Sequence, residues 1–292
     1  MFAHREPGIR FQWRTGRWWW AAAALVISIA ALAGQERPFR VYPSMEPYDV
    51  VPLPPDHQEK TEWIFGRLMF PSHPNARFGR YRWGVARDWR EGGTSWTQDY
   101  PRGDRFFLMA LRRLTRIHAR SAEQPISLDD GDDVFYYPFL FAGEMGDWLL
   151  TDEQAAKLRE YLLRGGFLLM DDFWGTPEWD QFMESMARVI PDRPIVEIPD
   201  GDPVLKAVYE IRERLLIPGQ WGLRRGTLYR NDGSEPHWRA IYDDRGRIMV
   251  AMFFNSDVGD SWEWADDPMY PEKYSALGLR LGVNFVIYSL TH

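Results

Sequence analysis

The run Gly165-Gly166-Phe167-Leu168-Leu169-Met170-Asp171-Asp172-Phe173-Trp174-Gly175 constrains the fold of this chain more than any other stretch. Two glycines precede an apolar run, which stops at two adjacent carboxylates. A short continuous apolar run bounded by turn residues is the pattern of a strand buried on both faces, as in a parallel sheet covered by helices. Such a strand delivers the residues at its end to the carboxyl edge of the sheet, where ligands bind in open α/β folds. Asp171 and Asp172 are therefore candidate site residues, with Trp174 just beyond them. Alternation along a strand sends the two carboxylates in opposite directions, so at most one faces a given pocket. The competing structural role has Asp172 capping the next turn and Asp171 held by an arginine or by backbone amides.

The rest of the chain reads in the same alternating sense. Trp63–Phe70 is a first strand ending at Pro71. Pro101 or Arg102 opens a helix with Phe106, Phe107, Ala110, Leu111 and Leu114 at helical spacing. Ile126–Leu128 is a short strand, and Val134–Phe141 a central strand interrupted by Pro138. Thr151-Asp152-Glu153-Gln154 is a capping box that opens a helix ending at Gly165. Thr176-Pro177-Glu178 starts the next helix, with proline at its first position. Ile195–Ile198 is a short strand, Asp202-Pro203 opens a short helix, and Arg239–Tyr242 and Ile248–Phe254 form a hairpin. Leu277–Leu290 is an apolar helix too short for a membrane span, so it packs in the core. Alternating strands and helices predict an α/β fold with a mainly parallel sheet covered on both faces.

The amino-terminal residues predict export. Arg5, Arg10, Arg14 and Arg17 precede an uncharged, mostly apolar run from Trp18 to Ala33. This is a signal peptide or an uncleaved hydrophobic anchor helix over residues 1–33, and either leaves the remainder outside the cytoplasm, periplasmic or anchored at the inner membrane. Residues 34–62 read as a proline-rich linker and residues 63–292 as one domain. Residues 1–33 carry four arginines and one glutamate, so the other residues hold −7 − 3 = −10 of the net charge. An acidic body excludes nucleic acid as a partner. The chain has no cysteine, which removes disulfides, thiolate metal sites and cysteine nucleophiles.

Five blocks carry a resemblance. They are Trp96-Thr97-Gln98-Asp99-Tyr100-Pro101, Tyr137-Pro138-Phe139-Leu140, the Gly165–Gly175 run, Tyr242-Asp243-Asp244-Arg245-Gly246-Arg247, and Asn255-Ser256-Asp257-Val258-Gly259-Asp260-Ser261-Trp262-Glu263. Together, over nearly all of residues 63–292, they resemble the bacterial DUF4159 family, whose function is undetermined. The resemblance implies a flavodoxin-like three-layer sandwich similar to class I glutamine amidotransferases. It supplies no catalytic residues. Amidotransferases of that fold place a cysteine on a tight strand-to-helix turn. Here the counterpart, Phe141-Ala142-Gly143-Glu144, offers neither cysteine nor serine nor threonine. Glutaminase chemistry by that route is excluded.

Several further residues fall at predicted strand ends. Asn255, Asp257, Asp260 and Glu263 follow the strand Ile248–Phe254; their spacing can gather oxygens around Ca²⁺ or Mg²⁺, but the favoured role is an Asx-bonded turn around Gly259. Asp99 and Tyr100 precede the first long helix, which Asp99 is placed to cap. No EF-hand spacing, HExxH, phosphate loop or dinucleotide fingerprint is present, and no metal or cofactor is assigned. Loop tryptophans beside acids suit stacking on a sugar. The expectation is a non-catalytic ligand-binding or scaffold domain, with Asp99, Tyr100, Asp171, Asp172, Trp174, Asn255, Asp257 and Asp260 at its crevice. Its partner would be a small molecule, a glycan or an envelope protein. The alternative is a carboxylate-dependent hydrolase acting on carbohydrate or cell-envelope polymer, with Asp171 and Asp257 as acid and base. A third class, a structural part of a membrane complex, predicts a large exposed apolar patch.

Overall fold

A computed structural model describes residues 39–46, 51–77, 81–82, 85–86 and 88–292. The expected signal peptide or anchor therefore lies outside the described residues. No helix among the described residues is long and apolar enough to cross a membrane. Arg40–His292 forms a compact unit.

The frame is a seven-stranded sheet of β1 (Gly66–Met69), β4 (Gln124–Ser127), β5 (Phe139–Ala142), β6 (Phe167–Phe173), β7 (Val196–Glu197), β8 (His237–Tyr242) and β9 (Ile248–Phe254). β2 (Tyr81–Arg82) and β3 (Val85–Ala86) pair separately. The sheet order is β4-β1-β5-β6-β9-β8-β7. The first five run parallel; β8 pairs antiparallel with β9, and β7 antiparallel with β8. Counted in chain order, the parallel strands lie 2-1-3-4-5. The order reverses between β1 and β5, and in open α/β sheets ligands bind outside the carboxyl ends at such a point.

Helices cover both faces, as the uninterrupted apolar strands require. Leu140, Leu168, Met170 and Val250 point to one face, against α2 (Asp152–Leu163) and α3 (Gly175–Val189). Phe139, Phe141, Phe167 and Phe253 point to the other, against α1 (Arg102–Leu114) and α6 (Glu272–Thr291). Two short helices, α4 (Gln220–Arg225) and α5 (Val258–Glu263), lie near the carboxyl edge. The capping box opens α2 as read: Gln154 N donates to Thr151 Oγ1 at 3.2 Å and Gln154 Oε1 accepts from Thr151 N at 3.0 Å.

Three local expectations need correction. Val134–Phe141 is not one strand. Asp133–Tyr136 closes a 3-10 turn and the strand starts at Phe139, because Pro138 has no N–H for the ladder. α3 starts at Gly175, two residues before the proline. Gly175 N donates to Asn255 Oδ1 and Trp174 N donates to Glu178 Oε2, each at 2.8 Å, so side chains satisfy the helix start. The described part of the proline-rich stretch lies against the domain. Met45 N donates to Thr97 O at 3.2 Å, and Arg105 Nη1 donates to Val51 O and Pro52 O at 3.1 and 3.0 Å.

α5 is seated by close contact with α6. The Trp262 ring stacks on Phe107 with centroids 4.3 Å apart, and its Nε1 donates to Gly278 O at 2.9 Å. A Cβ at Gly278 would overlap Ser261 Oγ. Gly278→Ala is therefore expected to cost about 1–3 kcal/mol by overpacking, read by urea denaturation. A change within ~0.5 kcal/mol would show that this contact has slack.

Candidate functional site

The carboxyl ends of β5, β6 and β9, together with the 40–46 strap and the 219–230 segment, surround a cleft of about 490 Å³. Glu46, Glu144, Asp172, Asp257, Asp260 and Arg230 line it, with Trp174 and Trp221 among the walls. Trp221 is half exposed, whereas Trp174 is buried.

Backbone conformation marks the same place. Among the described residues, the non-glycine residues with left-handed backbone are Asp99, Glu144, Asp172, Asn231 and Asn255. All belong to the loops and strand ends around this edge. A side chain at positive φ costs free energy that the surroundings must offset, and such residues cluster at functional sites. Glu144 is the clearest case. With φ 53° and ψ 48°, it sits between β5 and a 3-10 turn at Met145–Asp147.

Asp172 lines the cleft and Asp171 lies beneath it, so strand alternation holds in the sense that one acid reaches the space. The register between β6 and β9 shifts between Met170 and Phe173, which gives β6 one extra residue. This bulge, with Asp172 at φ 52°, re-aims the acids. Asp172 Oδ1 accepts from Trp174 Nε1 at 2.6 Å and pairs with Arg230 Nη2 at 3.3 Å. Asp171 Oδ2 accepts from Gly259 N at 2.6 Å, while its Oδ1 has no partner. Gly259 has to be glycine here, since a Cβ would overlap Asp99 Oδ2.

Asp99 does not cap α1. Pro101 is the N-cap residue and makes no side-chain cap bond. Burial and then the charges of Asp260, Asp257, Glu263 and Glu46 push its carboxyl well above the ordinary range. Asp257 caps α5, accepting from Asp260 N at 2.8 Å, so part of the Asx-turn reading is correct. Its pKa is raised by burial, then by Asp172, Asp260 and Asp171. Asp260 accepts from Gln220 N at 2.6 Å and from Trp264 Nε1 at 3.1 Å. Two predicted residues stand apart. Tyr100 is buried and its hydroxyl accepts from Tyr42 N at 3.3 Å, which holds the strap. Asn255 bridges Gly175 N and Glu235 O, and so braces the start of α3.

Sequence reasoning missed Glu46, Glu144, Glu178, Arg230 and Trp221. Arg230 Nη2 pairs with Glu178 at 2.9 Å, Asp172 at 3.3 Å and Glu144 at 3.5 Å, and its guanidinium lies over the Trp174 ring. Burial opposes its charge, but the three carboxylates outweigh burial and hold it firmly cationic. Glu144 is raised by burial and by Asp172, against the pull of Arg230. Glu46 reaches in from the strap, and its Oε2 accepts from Asp99 N at 3.2 Å. Burial, followed by the charge of Asp260, pushes it up to about 8. The cleft is thus a low-dielectric acid cluster with Arg230 paired to the acids on one side. It can bind cationic or hydroxylated groups, hold protons well above the usual carboxyl range, or do both.

The family described as "Domain of unknown function (DUF4159)" matches residues 85–290, and all five blocks of the resemblance fall inside the match. The chain belongs to the DUF4159 family. The matched span holds Asp99, Glu144, the Asp171–Asp172 pair, Arg230 and Asp257–Glu263, while Glu46 lies before it. No curated protein matches the chain.

Proposed function

We propose that this DUF4159 chain is a non-catalytic ligand-binding protein of the cell envelope. Its domain is a flavodoxin-like three-layer sandwich, carried outside the cytoplasm by the basic and apolar residues 1–33. The 2-1-3-4-5 strand order supports the flavodoxin-like reading. A single observation carries the binding role. Buried acids from separate chain segments converge on one cleft, at the edge where the left-handed residues gather. The ligand class that fits is a polyhydroxylated small molecule or glycan end. Carboxylates accept its hydroxyls, Arg230 donates, and Trp221 offers a half-exposed ring for stacking.

The test is calorimetric titration of the protein with a panel of neutral and amino sugars. Saturable binding is expected, weakened at least ~10-fold in Trp221→Ala by loss of the aromatic platform. Binding that is absent across the panel, or unchanged in both Trp221→Ala and Asp257→Asn, would remove this reading.

One observation favours a second reading, a carboxylate-dependent hydrolase. Glu144 occupies the strained turn after β5, and Asp257 lines the same cleft with a raised pKa suited to a general acid. Asp171 is fully buried and off the cleft wall, so it is replaced by Glu144 in this version. Turnover of a glycan that disappears in Glu144→Gln would favour it over simple binding.

A further inference from the structure

The acids fall into two sets. Glu144, Asp172 and Glu178 share Arg230. Glu46, Asp99, Asp257, Asp260 and Glu263 have no ion pair with any described arginine or lysine. Yet Asp99, Asp257, Asp260 and Glu263 are buried, and Glu46 is mostly so. Buried charges are ordinarily paired, protonated or bound to metal.

Their oxygens also lie close together. Glu46, Asp99 and Glu263 each offer an oxygen within 4.8 Å of the others, and so do Asp99, Asp257 and Asp260. A hard cation holds oxygens at about 2.3–2.6 Å, so oxygens bound to one ion stand no more than about 5 Å apart. Glu263 supplies an independent pointer. It is fully buried, and neither carboxylate oxygen has a described partner outside the acids themselves. Its neighbours there are Glu46 and Asp260, themselves acids. An unpartnered buried carboxylate facing other carboxylates is a ligand in want of a cation.

We propose that Glu46, Asp99, Asp257, Asp260 and Glu263 bind a hard divalent cation of the Ca²⁺ or Mg²⁺ class, centred on Asp99. The donors are all carboxylate oxygens, which suits these ions and not softer metals. The cation would tie the strap, through Glu46, to the loop before α1 and to α5.

The proposal uses the cleft described above but not its organic occupant. The titrations contain no sugar, so failure here and failure of the glycan reading are seen separately. The full-length chain, stripped with EDTA and held in detergent, is titrated with CaCl₂ and then MgCl₂ by calorimetry. Tb³⁺ luminescence excited through tryptophan is read in parallel, since Trp264 contacts Asp260. Saturable binding with a Kd below about 1 mM is expected. Glu263→Gln and Glu46→Gln should each weaken it at least ~10-fold, the loss found even for outer-shell partners of metals. Asp192→Asn, which touches only the surface partner Arg159, should not change it. No saturable signal up to about 10 mM, or unchanged binding in both glutamine variants, overturns the site. Should Glu263→Gln fail to fold by circular dichroism, Glu46→Gln on the strap decides alone.

Discussion

With divalent cations chelated, the chain is expected to lose stability as pH rises from about 5 to about 8. The direction is opposite to that of an ordinary salt-bridged protein. Folding raises the carboxyl pKa values of Asp99, Glu144, Asp171, Asp257, Asp260 and Glu263, burial being the first cause in each. Glu46 is pushed up to about 8 and the buried Asp104, paired with Arg67, to about 7. Between an unfolded carboxyl pKa near 4 and these folded values, the folded state binds more protons than the unfolded chain. Stability is therefore highest at the acid end of that window, falls across it, and levels off once the folded carboxyls have ionised. A loss of about 3–5 kcal/mol, on the order of 10 °C in Tm, is expected. Excess CaCl₂ should flatten the profile, because the cation replaces the protons. Thermal melts across that range with EDTA and with CaCl₂ check both statements. A Tm that rises with pH in EDTA would show that the acids are not held protonated by the fold.

Arg230→Met is expected to destabilise the protein by about 3–5 kcal/mol near pH 8, the cost of removing one partner from a buried ion pair. Three carboxylates lose their shared cation, and Asp172 and Glu144 are almost fully buried. Methionine keeps the stem, so the loss reports charge and not volume. Near pH 5 the penalty should shrink, because Glu144 and Glu178 already lean towards the neutral form through burial. Adding Glu178→Gln to the variant should recover part of the loss. Urea denaturation at both pH values is the check. A penalty below ~1 kcal/mol at the higher pH would mean that water, not Arg230, stabilises these acids.

The legible parts of this fold are those where local chemistry and tertiary burial agree. Phe167–Met170 is apolar on both sides because helices cover both faces, and the acids that end it do reach the carboxyl edge. Thr151–Gln154 specifies its helix start by two hydrogen bonds within four residues. The Ile248–Phe254 strand and its antiparallel neighbour are legible from two apolar runs joined by the turn Asp243-Asp244-Arg245-Gly246. Features built by distant contacts were not readable in that way. Glu46 looks like one acid in a proline-rich spacer until hydrogen bonds to residues 97–100 bring it to the cleft. Glu144 follows the strand Phe139–Ala142 in a left-handed turn that no local residue pattern announces. The carboxylates around Asp99 come from three separate segments, so no local spacing resembles a metal loop. Tyr100 and Asn255 were assigned to the crevice for their place in the chain, yet their polar atoms brace backbone instead.

The most direct test of a carboxylate-built binding cleft is an anomalous difference map from crystals of the protein soaked in Tb³⁺. The expected result is a peak among Glu46, Asp99, Asp257, Asp260 and Glu263, at the carboxyl edge of the sheet. Peaks confined to surface acids such as those in the Asp129–Asp133 loop, with none in the cleft, would contradict it.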